Sequence, residues 1–271
     1  MNSLLIVDGF YFLYRNFFGM PGRYNSKGMN TNALDGFSFS LQRAKREFKY
    51  THTVVVLDSK EPTFRHLLCP NYKADRKVPE ELEPQLDHIE PMLQAMDVPY
   101  VKKSGFEGDD IIGSLATQFS KDGSRVTILT GDKDMTQLVD ENITVEEIFN
   151  RKYYDQEGVL AKFGVYPQQM VDYLTLVGDS SDGIKGVNGI GPKTAVALLQ
   201  EFGSLDNILS DPSKLDYKFV KIVSENIEAI KKDKILATIV TDIDLELEFD
   251  SIKSREINSE GIIEFKKQLM L

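Results

Sequence analysis

Three short apolar runs, each leading into an acidic residue, define the predicted core of this 271-residue chain. The runs are Leu4 to Val7, Thr53 to Leu57 and Val126 to Leu129, and β-branched residues are common in them. Runs of this length and composition predict buried strands. Because helical patterns separate the runs, the sequence predicts an α/β fold with a parallel sheet.

Two helices are predicted between the strands. One runs from Thr31 to about Phe48, and the other from Gly108 to Phe119. The apolar start, Met1 to Phe18, is interrupted by Asp8 and Arg15, so it predicts a strand and the beginning of a helix rather than an export or membrane segment.

The second half of the chain has a different pattern. From Tyr173 onward it predicts helices, one after Pro192 and one around 219–230, with a glycine-rich hairpin at 183–191 before them. The stretch from Pro62 to Pro91 mixes basic and aromatic residues with little periodicity, which predicts a mobile segment over the ligand crevice.

Nine carboxylates follow the predicted strands or lie in turns. In an open parallel sheet, ligands collect beyond the carboxyl ends of the strands, so these side chains are expected to converge on one crevice. Like charges gather only where cations neutralise them, so the pattern predicts a metal cage. The residues are Asp8, Asp58, Glu107, Asp109, Asp110, Asp132, Asp134, Asp179 and Asp182.

Each acidic cluster also has a simpler interpretation. A single Asp is usually a solvated surface group, and Asp8 or Asp58 could cap the following helix. The acidic residues at 131–134 and 107–110 could serve only to stabilise the start of a helix. Acids in that position stabilise a helix by about 0.3–1 kcal/mol. The four clusters together favour metal binding. Oxygen ligands without Cys or His indicate two or more Mg²⁺ ions, with Mn²⁺ as a substitute, and a metal-activated water that hydrolyses phosphodiesters.

Charge and cysteine content modify this picture in two ways. A net charge of -10 and a pI near 4.9 argue against a nucleic-acid partner. However, the rest of the chain is nearly neutral once the nine candidate ligands are set aside, and basic residues are concentrated locally, as between Arg43 and Lys49. The single cysteine, Cys69, excludes an internal disulfide and a cysteine-rich zinc site and fits a cytoplasmic protein.

A glycine-rich stretch after Asp182 predicts a grip on a nucleic-acid backbone. Glycines let backbone amides approach a phosphate, Pro192 suits the first position of a helix, and the helix start attracts an anion. An ordinary glycine turn is the alternative. The candidate DNA-binding residues are Gly186, Val187, Gly189, Ile190, Gly191, Lys193 and Thr194.

Seven strings along the chain resemble the bacterial 5′-nuclease family, meaning the flap-endonuclease-like domain of DNA polymerase I and its free-standing relatives. The resemblance covers roughly residues 4–248. The strings lie at 7–9, 63–65, 71–76, 107–110, 131–135, 178–182 and 189–195.

The resemblance implies a PIN-like parallel-sheet nuclease core with a helical arch over residues 1–172, the arch lying at about 62–91. It also implies a C-terminal helix-hairpin or helix-two-turn-helix DNA-binding subdomain over 173–271, with a clamp at about 183–200 that holds K⁺. The first metal would be bound by Asp8, Asp58, Glu107, Asp109 and Asp110, and the second by Asp132, Asp134, Asp179 and Asp182. In the catalytic roles, Tyr72 would stack on the terminal nucleotide, while Lys73, Arg76 and Arg15 would supply positive charge.

The expected function is that of a structure-specific 5′-3′ exonuclease and flap endonuclease that acts on DNA with 5′ ends or flaps in replication and repair. We expect the protein to be a cytoplasmic monomer. We expect it to bind no membrane and no small-molecule substrate. A catalytically inactive DNA-binding relative is the alternative, although no ligand position is empty. Phe10 argues against an aspartate-nucleophile phosphatase, and the hairpin argues against an RNA-directed PIN nuclease. Two positions depart from the family: Gly183 stands where asparagine is usual, and Gly108 where alanine is common. The sequence leaves open whether the chain is free-standing or the first domain of a DNA polymerase I.

Overall fold

The structure is a computed structural model that describes residues 2–74 and 76–270. Asp75, which belongs to one of the family-like strings, lies outside the described residues. No helix of the described residues is both long and apolar enough to cross a membrane.

Six strands of the described chain form one sheet in the order β3-β2-β1-β4-β5-β6. All neighbouring strands are parallel except β5 and β6. The three predicted strands are therefore confirmed, as β1, β2 and β4. The sequence pattern did not predict the other three, which are short or polar. The strands are β1 Ser3–Asp8, β2 His52–Val56, β3 Tyr100–Val101, β4 Arg125–Leu129, β5 Ile143–Glu147 and β6 Lys152–Tyr154.

Thirteen α-helices accompany this sheet in the described residues. The two predicted helices are confirmed as α2 and α6. The single helix predicted around 219–230 is instead two helices, which are separated at Asn226. The helices are α1 Gly9–Gly19, α2 Asn32–Glu47, α3 Phe64–Leu68, α4 Glu83–Leu86, α5 Ile89–Ala95, α6 Gly108–Ser120, α7 Gln156–Phe163, α8 Met170–Val177, α9 Pro192–Phe202, α10 Leu205–Ser210, α11 Tyr217–Glu225, α12 Ile227–Ala237 and α13 Ser259–Met270.

The central strands are buried on both faces, which explains why their sequences read as continuous apolar runs rather than as an alternation. Leu4 and Ile6 face a core that includes α6 and the helices from α7 to α12, whereas Leu5 and Val7 face a core with α1, α2, α5 and α13. The molecule therefore has three layers, and helices α7 to α12 share one of the two cores with the sheet, whereas α13 packs in the other.

The segment predicted as a mobile arch is fastened to the core at several points. Over 62–91 the described residues form α3, α4, turns and the beginning of α5. Arg65 is 2% exposed, Tyr72 is 3% exposed, and Leu82 and Gln85 are also buried. These buried side chains anchor parts of the segment to the core, and its mobility stays a prediction.

Arg65 joins three segments that are far apart in the sequence. Its guanidinium donates to both oxygens of Asp110, at 2.6 and 2.7 Å. It also donates to the backbone carbonyls of Leu236, at 3.0 Å, and Thr238, at 2.6 Å. The buried ion pair therefore links α3 and α6 to the chain at the end of α12.

We expect Arg65→Met to lower the free energy of unfolding by about 3–5 kcal/mol, because it leaves the carboxylate of Asp110 buried without its partner. Urea denaturation of the two proteins measures the change. The matched control is Arg43→Met, which removes the exposed Arg43–Glu47 pair and should cost less than about 1 kcal/mol. Equal effects of the two substitutions would contradict this account.

Candidate active site

A crevice of about 580 Å³ lies at the carboxyl ends of the parallel strands. Asp8 ends β1, Asp58 follows β2 and Asp132 follows β4. These three carboxylates line the crevice together with Asp109, which lies in the first turn of α6. The structure thus brings four of the nine predicted ligands to one cavity.

Local hydrogen bonds fix the direction of these carboxylates. Asp8 caps α1 by accepting from the Tyr11 amide at 2.9 Å, and its other oxygen accepts from the Thr130 hydroxyl at 2.7 Å. Asp58 accepts from the Gly108 amide at 2.5 Å. A Cβ at position 108 would lie 3.1 Å from that carboxylate oxygen, so the glycine permits the close approach of α6 to the crevice.

The surroundings of two crevice carboxylates disfavour their ionised forms. Burial raises the pKa of Asp8 to about 7, and the charges of Asp58 and Asp132 act in the same direction. Burial also raises the pKa of Asp109 well above its usual range, although Lys73 opposes the shift. The ionised forms of these groups are therefore poorly compensated by the protein itself.

A second acidic group adjoins the crevice. Asp134, Asp179 and Asp182 are all buried, and burial followed by the charge of Asp132 raises the pKa of Asp134 to about 7. The Oδ1 atom of Asp134 is buried and has no hydrogen-bond partner among the described residues. Lys133 pairs closely with Asp179 and lies 3.6 Å from Asp134.

Glu107 and Asp110 occupy different environments although both were predicted to bind the first metal. Glu107 accepts from the Tyr72 hydroxyl at 3.1 Å and from the Lys73 ammonium at 2.9 Å. Asp110 is fully buried, and Arg65 together with the Val240 amide occupies its oxygens. Protein donors therefore engage both oxygens of Asp110 in this structure, and metal binding by this residue stays a prediction.

Lys73 and Arg76 lie between the two acidic groups. The Lys73 ammonium is 3.9 Å from Asp109 and 3.7 Å from Asp182, and Arg76 is 2.6 Å from Asp182. Burial disfavours the ammonium, but the carboxylates outweigh it and raise the pKa of Lys73. Both cations line the crevice, where they can contact a phosphate.

Two predicted catalytic residues, Tyr72 and Arg15, do not line the crevice. The ring of Tyr72 is nearly fully buried and its hydroxyl also donates to Asp182 at 3.2 Å, so it is not placed to stack on a nucleotide. Arg15 is exposed on α1, with its guanidinium carbon 5.4 Å from the centroid of the Phe149 ring. It does not line the crevice.

The residues present fit divalent cations, although rearrangement is needed. In residues 2–74 and 76–270, no three His, Cys, Asp or Glu side chains are already arranged around a common ion position. Lys73, Arg76 and Lys133 hold Glu107, Asp182 and Asp179 in ion pairs instead. The Oδ1 of Asp134, which accepts no hydrogen bond among the described residues, and the all-oxygen donor set suit Mg²⁺ or Mn²⁺, which prefer carboxylate ligands.

The predicted backbone grip is a tight turn before α9. A Cβ at Gly186 would lie 2.6 Å from the backbone of Val177 and Gly178, and its φ of 70° is in the left-handed region. Val187 and Ile190 are buried, so only their backbones can face a ligand. Around Gly189 and Gly191 the surface is open, since an added Cβ would meet nothing within 4 Å.

Lys193 and Thr194 follow this turn in the first turn of α9. They line a cavity of about 400 Å³ that also contains Lys214 and Lys218. The helix start has no side-chain cap, so its amides can receive an anion. The structure therefore places an uncapped helix start and three lysines next to the glycine turn, and phosphate binding there stays a prediction.

Several crevice residues were not singled out from the sequence. Phe10 and Tyr14 lie one helical turn apart on α1 with ring centroids 6.4 Å apart, and both line the crevice. Lys77 and Lys133 line it as well. The signal for the aromatic pair was its i, i+4 spacing directly after Asp8, which places both rings on the helix face towards the carboxylates.

Two family profiles match nearly the whole chain. The profile described as "5'-3' exonuclease, N-terminal resolvase-like domain" matches residues 3–164. The profile described as "5'-3' exonuclease, C-terminal SAM fold" matches residues 165–260.

Full-length sequence comparison gives similar relatives. A 5'-3' exonuclease of Aquifex aeolicus is 39% identical over 254 residues, covering 93% of this chain and 87% of that protein. DNA polymerase I of Bacillus subtilis is 38% identical over 276 residues, covering 98% of this chain. The chain spans only 31% of the length of that polymerase.

Solved structures share the fold at lower identity. T5 5'-exonuclease with bound zinc ions is 20% identical with a TM-score of 0.77, over 99% of this chain and 98% of that one. The catalytic core of Rad2 in complex with a DNA substrate is 17% identical with a TM-score of 0.63, over 98% of this chain and 86% of that one.

Proposed function

This chain belongs to the 5′-3′ exonuclease family, and from that premise we propose that it is a metal-dependent, structure-specific 5′-3′ exonuclease and flap endonuclease. Its substrate would be DNA with 5′ ends or single-stranded flaps, and its reaction the hydrolysis of a phosphodiester bond in replication and repair. The observation that carries the proposal is the crevice itself, where poorly compensated carboxylates and phosphate-binding cations line one cavity.

We propose two metal positions that differ in part from the sequence prediction. Asp8, Asp58, Asp109 and Asp132 share the crevice and would hold one ion, with Glu107 at its edge. Asp134, Asp179 and Asp182 would hold the second. The bound ions would activate water and stabilise the leaving oxygen of the phosphodiester.

The cations of the crevice would position the scissile phosphate. Lys73 is held on three sides by Glu107, Asp109 and Asp182, so its ammonium has a fixed position and a permanent charge. Arg76 offers a planar fork that suits phosphate oxygens. Neither residue can act as a base at neutral pH, and both would stabilise negative charge that develops on the phosphate.

The C-terminal helical part, proposed to begin at about residue 173, would hold the duplex. Backbone amides of the turn at Gly189 and Gly191, with Lys193 and Thr194, would contact successive phosphates without reading sequence. We further propose K⁺ at this turn, a monomeric chain and a cytoplasmic location, which the single free cysteine fits.

The test is a labelled 5′-flap duplex incubated with and without Mg²⁺, with products sized to the nucleotide. We expect cleavage near the flap junction only when Mg²⁺ is present. An inactive DNA-binding relative is the other candidate, and it would bind the duplex tightly without producing any shortened strand. The presence of every predicted carboxylate favours the active enzyme.

The raised pKa of Asp8 gives a pH dependence that can be measured without DNA. The pKa of Asp8 is about 7 in the folded protein and 3.8 in the unfolded chain. Protonation of Asp8 therefore makes its full contribution to the free energy of unfolding below pH 3.8, and this contribution is lost as the pH rises through 7. In EDTA, we expect the stability of the wild type relative to Asp8→Asn to fall between pH 5 and pH 8, by at most about 1.4 kcal/mol per pH unit.

Chemical denaturation of both proteins across this range measures the effect. Added Mg²⁺ should stabilise the wild type more at pH 8 than at pH 5, because the ion competes with protons for the same carboxylates. A flat difference between the two proteins in EDTA would show that Asp8 titrates normally.

A further inference from the structure

A third cavity lies at the opposite end of the sheet from the crevice, and we call it the rear cavity. Tyr50, on its wall, is two residues before β2 begins, and the nearby Ser254 amide donates to the Thr51 carbonyl at 2.8 Å. Strands β1, β2 and β4 are parallel, so their amino ends are at this edge and their carboxyl ends are at the crevice. The rear cavity is lined by Gln42, Lys45, Arg46, Phe48, Lys49, Tyr50, Ser254, Arg255, Glu256, Ile257 and Ser259.

Its charge is unusual for this acidic chain. The lining has four cations and one carboxylate, whereas the crevice has four of each. Arg46 and Lys49 have no carboxylate within ion-pair distance among the described residues. In a protein with a net charge of -10, unpaired cations around a cavity indicate a site for an anion.

Lys45 is held in the cavity without a carboxylate partner. Its ammonium donates to the Arg255 carbonyl at 2.5 Å, and burial lowers its pKa although Asp97 acts against the shift. Arg255 itself pairs with Asp97 at 2.9 Å. An anion in the cavity would therefore compensate a partly desolvated positive charge.

The other wall of the rear cavity is apolar and rigid. The rings of Phe48 and Tyr50 are 6.2 Å apart, and both pack against the core shared by α1, α2 and α13. The Tyr50 hydroxyl is fixed by a hydrogen bond of 2.5 Å with the Thr127 hydroxyl. Ile257 extends this wall, so an apolar and aromatic surface faces the cations.

We infer that the rear cavity binds a nucleoside phosphate, with the phosphates on Lys45, Arg46 and Lys49 and the base and sugar against Phe48, Tyr50 and Ile257. Guanidinium and ammonium groups bind phosphate oxygens, and aromatic side chains bind nucleobases. The volume of about 640 Å³ is in the range of small-molecule sites. This site is separate from the proposed active site and does not depend on the proposed function.

The test is isothermal titration of the wild type with dATP and, separately, with inorganic tripolyphosphate, both in EDTA. EDTA removes divalent ions, so a phosphate cannot bind in the crevice through a metal ion, and the rear-cavity variants identify which cavity accounts for the binding that remains. We expect saturable dATP binding, and an affinity at least tenfold lower in the double variant Arg46→Glu with Lys49→Glu. Both side chains are exposed, so the variant should fold.

The matched control carries the same charge change elsewhere, as Lys27→Glu with Lys162→Glu, two exposed residues outside the rear cavity. This control should bind dATP like the wild type. Phe48→Leu should weaken dATP binding severalfold and leave tripolyphosphate binding unchanged, because only the nucleoside contacts the aromatic wall.

Three results would each overturn the inference. The first is no binding of dATP, or equal binding by the wild type and the rear-cavity variant. The second is tripolyphosphate binding as tight as dATP binding with no effect of Phe48→Leu, which would indicate a plain phosphate site. The third is slower flap cleavage at low salt in the rear-cavity variant but not in the control, which would assign the surface to the DNA backbone.

Discussion

Asp132→Ala should reduce the rate of DNA cleavage at least about a thousandfold, equivalent to about 4 kcal/mol of transition-state stabilisation. Asp132 lines the crevice with Asp8, Asp58 and Asp109, and its charge raises the pKa of Asp134 in the adjoining acidic group. It is therefore the carboxylate that acts on both proposed metal positions. Removing it should affect both ions at once.

The affinity for duplex DNA should change less than tenfold in this variant, because the phosphate-binding turn before α9 is untouched. Single-turnover cleavage and a binding titration in Ca²⁺ separate the two effects. Asp250→Ala is the control, since Asp250 is an exposed acid on the far side of β2 from the crevice and should leave both quantities unchanged. Full turnover by the Asp132 variant would refute the metal centre.

Lys73→Ala should slow the chemical step about 10²- to 10³-fold while weakening DNA binding only severalfold. The ammonium is held by Glu107 at 2.9 Å and faces the crevice, so its charge is fixed where the phosphate would become more negative. A preorganised charge of this kind acts mainly on the transition state. Single-turnover rates and dissociation constants measured on the same flap substrate test the split.

Lys77→Ala is the matched control for Lys73. Lys77 also lines the crevice, but it has no carboxylate within ion-pair distance among the described residues. Its removal should therefore cost binding and chemistry equally and modestly. Thermal unfolding of both variants shows whether the loss at Lys73 comes from misfolding, and equal losses in rate and affinity would assign Lys73 to phosphate positioning alone.

The sequence predicted the parts of the fold that depend on long apolar patterns. β1, β2 and β4 are buried on both faces, so their runs are continuous and easily recognised. β3 has two residues and β6 has three, mostly outside the core, and neither carries such a pattern. Their pairing depends on neighbouring strands, which local sequence does not encode.

The candidate site was predictable as a set of acids but not as an arrangement. The position of Asp8 followed from its place at the end of a strand. The environment of the Asp110 carboxylate, in contrast, depends on Arg65, which is 45 residues away in the sequence. Asp110 is one residue after Asp109, but successive helical residues point about 100° apart, and the two carboxylates have different partners. A short sequence motif does not identify partners that lie so far apart in the sequence.

The position of the Tyr72 side chain also depends on partners that are distant in the sequence. The family resemblance implied that its ring stacks on a nucleotide, and the segment's composition alone favoured a solvated loop, yet the ring packs beside His66 and the hydroxyl bridges Glu107 and Asp182. The bridging requires the turn after α8 to lie against the segment after α3, and this contact joins residues 110 positions apart.

The guanidinium of Arg65 has a consequence for how this protein can be divided. It reaches carbonyls 171 and 173 positions further along the chain, and the sheet shares a single core with the later helices. A fragment that stops at residue 172 would expose one side of that core and would remove the two backbone carbonyls to which Arg65 donates, leaving Asp110 as its remaining partner. We therefore expect the stretches matched by the two family profiles to unfold together, and neither stretch should persist alone after proteolysis.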